Sequence, residues 1–236
     1  MEELKKLITE ALTHDTDSIV SAAGKYLSFV QKMKHNPATK SIAQQVVDTE
    51  ASKAEADILT ANQHPLTDKH SNNIRTYTKT STGVNGHLIN NTYNPGRAGQ
   101  ARNISETIQK HTQPLPHETH VYSGLGKFDP THIMETGKFH TPAFTSTSLT
   151  PNVATGFLSA KGSSNLRKES HLVHYVLPKG YSKSIQINDH SEWPNEHEHL
   201  LDKGQTWKVT GKTEHNVTPE HKIHIWSVVP HDAKEQ

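Results

Sequence analysis

Cysteine is absent from this 236-residue chain. That excludes disulfides, cysteine-bound zinc and a thiol nucleophile, and leaves the redox compartment open. Long apolar runs are also missing; none approaches the ~20 residues of a membrane span. The stretch Met1–Leu12 is amphipathic and starts with acids, without the basic start and continuous apolar centre of a secretory signal. The expectation is a soluble protein, cytoplasmic at synthesis; a chain exported by a dedicated machine or packaged in a virion would read the same. Neither charge sign dominates: 25 Lys and Arg face 24 Asp and Glu, a net charge of +1. Composition therefore points neither to nucleic acid nor to a membrane surface. Hydrophobic residues make up 31%, and mean hydropathy is −0.75. A modest core with long polar connections follows, in a chain still long enough to bury one. No strand–GxGxxG–helix unit and no Walker loop occurs, so the common nucleotide folds lack support. Arginine appears only at positions 75, 97, 102 and 167.

Helical patterns come first. Leu4, Leu7, Ile8 and Leu12 recur at three- and four-residue steps, and Ile19, Val20, Ala23, Leu27 and Val30 continue after the cap candidate Asp17. A third helix is expected from Ser41 to about Thr60. A polar separator, Asn62 to Ser71, precedes a short helical piece around Ile74–Tyr77, a segment Gly86–Pro95 with Leu88 and Ile89 as its apolar pair, and a helix over Arg102–His111. After Pro114-Leu115-Pro116 the chain turns to short β-rich runs. These are His120–Tyr122, Ala143–Ser148, His171–Leu177, Ser184–Ile187, Glu198–Leu201, Thr206–Thr210 and Lys222–Val229, with one short helix at Pro151–Leu158. Helices early and strands late predict an α+β fold with an antiparallel or mixed sheet.

Three segments carry candidate chemistry. Val121-Tyr122-Ser123-Gly124-Leu125-Gly126 is a strand that runs into small residues. Phe144-Thr145-Ser146-Thr147-Ser148 is a strand rich in hydroxyls, with Ser146 and Ser148 on one face and Thr147 on the other. No GxSxG elbow surrounds these serines, which argues against a serine nucleophile. In Glu196-His197-Glu198-His199-Leu200-Leu201, a strand would place both carboxylates on one side and repulsion would raise at least one pKa. Such a pair suits acid–base work or stabilisation of a positive transition state, and equally suits a solvated edge strand. The histidines His197 and His199, with His190, His215, His221 and His224, could supply imidazoles. No HExxH and no convincing three-ligand spacing occurs, and nineteen histidines are spread along the chain, so no metal is expected.

In order and spacing together, these segments resemble the mono-ADP-ribosyltransferase family of the bacterial exotoxin and phage type, most of all the catalytic domains of phage proteins injected with the genome. That family has an aromatic-Arg strand, a Ser-Thr-Ser strand and a Glu-x-Glu strand. The resemblance covers roughly Asn73 to Val229. It implies an α+β split mixed β-sandwich with N-terminal helices, divided as an N-terminal helical segment over 1–65 and a catalytic domain over 66–236. It implies NAD+ as substrate, a protein of a host cell (bacterial by this reading) as target, a monomer, and no contact with membrane or nucleic acid.

The resemblance also implies roles. Glu198 matches the carboxylate that steadies the ribosyl cation, and Glu196 the residue that orients or deprotonates the acceptor, which points to arginine. Ser146 matches the residue that braces Glu198. Tyr122, Ser123, Gly124, Thr147 and Phe157 fall where the family contacts NAD, and Trp193 lies in the expected target-recognition loop, Asp189–Asn195. One departure stands out: Ser123 occupies the place of the motif arginine. Arg167 and Arg102 are the candidates to meet the phosphates instead; weak NAD affinity, or a catalytically silent relative acting as a binding or particle protein, is the other outcome of that departure.

Overall fold

A computed structural model of the chain describes residues 50–125, 131–158, 169–218 and 221–232. The helices expected over Leu4–Val30 lie outside the described residues, as do Gly126 and Arg167.

Helix α1 is Glu50–Ala61, and its Ala56 and Leu59 are buried in the main core. Helix α2 is one element of 23 residues, Asp68–Asn90, which starts within the expected polar separator and extends well beyond the short piece around Ile74–Tyr77. Its interior holds Gly83, Gly86 and a run of Thr, Ser and Asn, all weak helix formers, which is why its pattern reads as broken. Tertiary packing overrides this: Ile74, Tyr77 and Val84 are buried beneath it. The backbone leaves helical geometry only at Thr80, whose hydroxyl donates to the Thr76 carbonyl at 2.8 Å. The helix starts at the Thr67 cap and stops at Asn91, a left-handed residue with φ 48°. Helix α3, Pro95–His111, begins before the expected Arg102, because Asn94 caps it and a proline is tolerated in the first turn.

The strands are β1 Thr119–Leu125, β2 Lys138–Thr141, β3 Thr145–Ser148, β4 Glu169–Leu177, β5 Ser184–Gln186, β6 Glu198–Leu201, β7 Gln205–Thr218 and β8 His221–Pro230. Short helices α4, Thr131–Thr136, and α5, Pro151–Gly156, sit between them. Strand β2, a polar edge strand with one buried residue, carries no sequence signal strong enough to predict. The strands form one mixed sheet in the order β2-β7-β8-β4-β1-β3-β6-β5, parallel only between β4 and β8. The expected split appears as a pinch. β1 and β4 pair along seven residues, whereas β1 and β3 pair only at Tyr122 and Ser148. The two parts have separate cores. Val121, Val173, Tyr175, Trp207, Trp226 and Val228 build one, and α2 and α3 cover Phe144, Ile185 and Leu200 to build the other. Among the described residues no helix is long and apolar enough to cross a membrane.

One glycine is required by this packing. A Cβ on Gly124 of β1 would lie 2.2 Å from the Ala154 carbonyl oxygen of α5, whereas one on Gly86 of α2 meets nothing within 4 Å. Overpacking costs ~1–3 kcal/mol and a helix-interior Gly→Ala gains ~0.5–1 kcal/mol. Gly124→Ala is therefore expected to lower Tm by roughly 3–10 °C, and Gly86→Ala to raise it by roughly 1–4 °C, in calorimetric scans.

Candidate active site

The pinch brings the three sequence segments into one row. Ser148 pairs with Tyr122 of β1 on one side and with Glu198 of β6 on the other. Beside this row opens a cleft of about 930 Å³, at the upper end of the usual range for a small-molecule site. Tyr122, Ser123, Gly124, Ser146, Thr147, Phe157, Trp193, Glu196 and Glu198 all line it.

Glu198 is the first residue of β6 and is 5% exposed. Ser146 and Ser191 hydroxyls donate to its carboxylate. Burial pushes its pKa up to about 7; the neighbouring Glu196 adds to this, while the two hydroxyls oppose it. The sequence argument assigned the raised pKa to carboxylate repulsion. The direction holds, but loss of water is the larger cause. The geometry of the pair also differs from a shared strand face. Glu196 closes a 3₁₀ turn, Pro194–Glu196, and His197 follows in the left-handed region at φ 45°, so β6 starts only at Glu198. The Ser148 hydroxyl donates to the Glu196 carbonyl at 2.6 Å and fixes that turn. Burial raises the Glu196 pKa as well.

Helix α2 supplies residues the sequence reading missed. Tyr77 is buried, with its hydroxyl bonded to Ser146 and accepting from Asn85 Nδ2 at 3.2 Å; Asn85 Nδ2 also reaches the Phe144 carbonyl at 3.1 Å. Asn85 lines the cleft, and its Oδ1 is buried without a hydrogen-bond partner. The same helix straps the Asp189–Asn195 loop. Ser71 meets His190 Nδ1 at 2.9 Å, Thr78 accepts from the Glu192 N–H at 3.2 Å, and Lys79 and Arg75 face the Glu192 carboxylate at 3.0 and 3.6 Å. Trp193 is left 51% exposed at the cleft mouth. None of these helix residues stands at motif spacing; Thr78, Lys79 and Asn85 lie beyond the expected Ile74–Tyr77 piece, and the length of α2 brings them here.

Other placements differ from expectation. Tyr122 is a wall rather than a free platform, since it is buried and stacked on His174 at 4.8 Å. Thr147 turns from the Ser146 face and donates to the His199 carbonyl. Ser123 is 9% exposed and opposite Val173. Arg102 lies exposed on α3 and does not line the cleft; among the described lining residues the side-chain cations are Lys79 and Lys138, with the imidazole of His140. His197 and His199 do not converge on a metal. His197 faces Asn188 at 3.2 Å, and His199 is held by Gln186 and Ser184 at 2.9 and 2.8 Å, its pKa pushed down to about 3 by burial.

The family model described as ADP-ribosyltransferase exoenzyme matches residues 39–229. Solved structures share the fold. Plx2a, an ADP-ribosyltransferase toxin from Paenibacillus larvae, is 16% identical over 78% of this chain and 96% of its own, with a TM-score of 0.56. C3stau2 from S. aureus, solved with NAD, is 17% identical over 78% and 97%, with a TM-score of 0.56. Vis, an ADP-ribosyltransferase from Vibrio splendidus, was solved in complex with agmatine and is 16% identical over 86% and 92%, with a TM-score of 0.56. Among curated proteins no match was found.

The buried carboxyl has a stability signature. Its pKa rises from an unfolded value of 4.5 to about 7, so between these values the folded state binds more protons than the unfolded state. Stability is highest below pH 4.5 on this account and falls by about 3 kcal/mol as pH rises through 7, at 1.36 kcal/mol per unit. Glu198→Gln removes this slope. The variant is expected to melt above the parent at pH 8, with the gap closing towards pH 4.5; parallel Tm–pH curves would contradict the assignment.

Proposed function

The chain belongs to the ADP-ribosyltransferase exoenzyme family, whose substrate is NAD, and on that premise we propose that it transfers one ADP-ribose unit from NAD to an arginine of a protein. The observation that carries the reading is the Glu198 carboxylate, held from water by hydroxyls and facing a cleft with no guanidinium among its described lining residues.

The cleft fits this substrate. Its lining is rich in hydroxyls, among them Thr82, Ser123, Thr145 and Ser146, and Asn85 adds a carboxamide. When NAD is bound, its nicotinamide ring carries the positive charge that the Glu198 surroundings lack. Glu198 then stabilises the charge that builds on the ribose as the bond to nicotinamide breaks, with the electron pair leaving on nicotinamide. Ser146, fixed by Tyr77, keeps the carboxylate aimed. Glu196 accepts the proton that an arginine nitrogen loses as its bond to the ribose carbon forms; a guanidinium, with a pKa above ~12, needs such a base. The agmatine held by the Vis structure carries the same guanidinium group, in keeping with this acceptor. Trp193, on its strapped loop, meets the target protein. Lys79 and Lys138 neutralise the phosphates in place of a motif arginine at 123. The protein acts as a monomer on a target inside a bacterial host cell, delivered as an effector or with a phage particle.

Two substitutions separate the roles. Glu198→Gln is expected to lower both NAD hydrolysis and transfer to agmatine by ~10²-fold or more. Glu196→Gln is expected to lower transfer at least tenfold more than hydrolysis. Equal losses in both activities for Glu196→Gln would remove the acceptor-base role. For pH, Glu198 works only when deprotonated, so kcat/KM for NAD hydrolysis is expected to fall tenfold per unit below about pH 7 and to level off above it. A flat profile between pH 5 and 8 would contradict the role of Glu198.

A further inference from the structure

One cluster of titratable side chains lies apart from the cleft. Strands β4, β8 and β7 are neighbours, and their register sets His171 opposite His224, and His224 opposite Glu214. Cross-strand partners project from the same face, so two imidazoles and a carboxylate form a row over three strands. Glu169, two residues before His171 on β4, adds a second carboxylate to that face. Ligand atoms of Glu169, His171 and His224 all lie within 4.8 Å of one another. The two rings are stacked, with centroids 4.8 Å apart.

His224 is the unusual member. It is 6% exposed, and neither ring nitrogen makes a hydrogen bond. Carboxylates nevertheless flank it: Glu214 Oε1 is 3.1 Å from Nδ1 and Glu169 Oε2 is 3.7 Å from Nε2. A carboxylate at one nitrogen, with a second carboxylate and a second imidazole near the other, is an arrangement that can orient a metal-binding imidazole. Glu214 serves as that orienting group rather than as a ligand, because Lys212 and Lys222 already hold its oxygens at 2.6 and 3.3 Å.

We propose that Glu169, His171 and His224 bind a divalent transition-metal ion of the zinc type, which joins β4 to β8 at this end of the sheet. Two imidazoles and one carboxylate are a zinc-compatible donor set, with water in the fourth position. Bonds of ~2.0–2.2 Å place tetrahedral ligands about 3.4 Å apart. Glu169 Oε2 already lies 3.7 Å from His224 Nε2, and drawing all three ligand atoms from within 4.8 Å of one another to that spacing takes side-chain movement on the order of 1 Å. The Trp226 indole N–H donates to His171 Nδ1 at 3.3 Å, which places the ring proton on Nε2. Ligation at Nε2 shifts the ring proton to Nδ1, which can then no longer accept from the indole, and ligation at Nδ1 displaces the indole directly; either way the surroundings of Trp226 change. None of the three ligands lines the cleft, so the site is independent of the proposed reaction.

The test uses the full chain after chelator treatment, titrated with ZnCl2 by calorimetry. The parent is expected to bind one zinc that His224→Gln loses and that the control His231→Gln, a variant at an exposed terminal position, keeps. Zinc at 100-fold its Kd is expected to raise the parent Tm by roughly 5–10 °C and to leave His224→Gln unmoved. Parent tryptophan emission should change on zinc addition, and Trp226→Phe should abolish the change. If His224→Gln fails to fold, Glu169→Gln must weaken zinc binding at least tenfold. Equal stoichiometry and affinity in parent and cluster variants, or binding without a Tm shift, overturns the site. NAD hydrolysis by His224→Gln is expected at parent level, so failure of the metal site and failure of the proposed reaction are read separately.

Discussion

A carboxylate kept out of water needs groups that hold it in place and a charge that answers it, and the arrangement around Glu198 follows from that constraint. Its strand starts at the one residue that also pairs through Ser148 to β1, so the position of Glu198 is fixed by the same register that pinches the sheet. Ser146 and Ser191 supply the donors, and Tyr77 of α2, itself held by Asn85, anchors Ser146 in turn. Its immediate partners include no cation. The folded chain therefore spends stability to hold the group at a pKa of about 7, ready for a positive charge that arrives with the substrate.

Helix α2 connects the two demands of the reaction. One side braces the serine beside the carboxylate; the other ties down the loop that carries Trp193 through His190 and Glu192. The ion pairs on that loop are partly exposed and contribute little individually. The buried contacts of Ile74, Tyr77 and Val84 hold the helix despite its two glycines. The serine beside Glu198 and the loop that carries Trp193 thus share one element, and a change in its kink at Thr80 would be felt at both.

Much of the fold was legible. Alternation and turn residues located every strand except β2, and the serine strand, the short helix behind it and the Glu-x-Glu segment lie together as their resemblance implied. What was not legible depended on tertiary context. Gly83, Gly86 and the Thr-Ser-Asn run disguise the far half of α2, and with it Asn85, while Tyr77 stands in the expected helix without a motif to mark its role. The left-handed His197 puts Glu196 in a turn, a conformation that residue type alone does not announce. Arg102 reads as a phosphate ligand only until α3 turns it outward, away from the cleft lining. The row of His171, His224 and Glu214 spans 54 positions of chain and exists only through strand register.

The central claim is that this cleft moves ADP-ribose from NAD onto arginine. The most direct measurement is intact-mass and fragmentation spectrometry of bacterial lysate proteins incubated with the enzyme and NAD. The account predicts increments of ~541 Da, one ADP-ribose unit each, placed on arginine side chains, formed by the parent and absent with Glu198→Gln. Increments placed on cysteine, asparagine or a nucleic-acid end, or equal labelling by parent and Glu198→Gln, would contradict it.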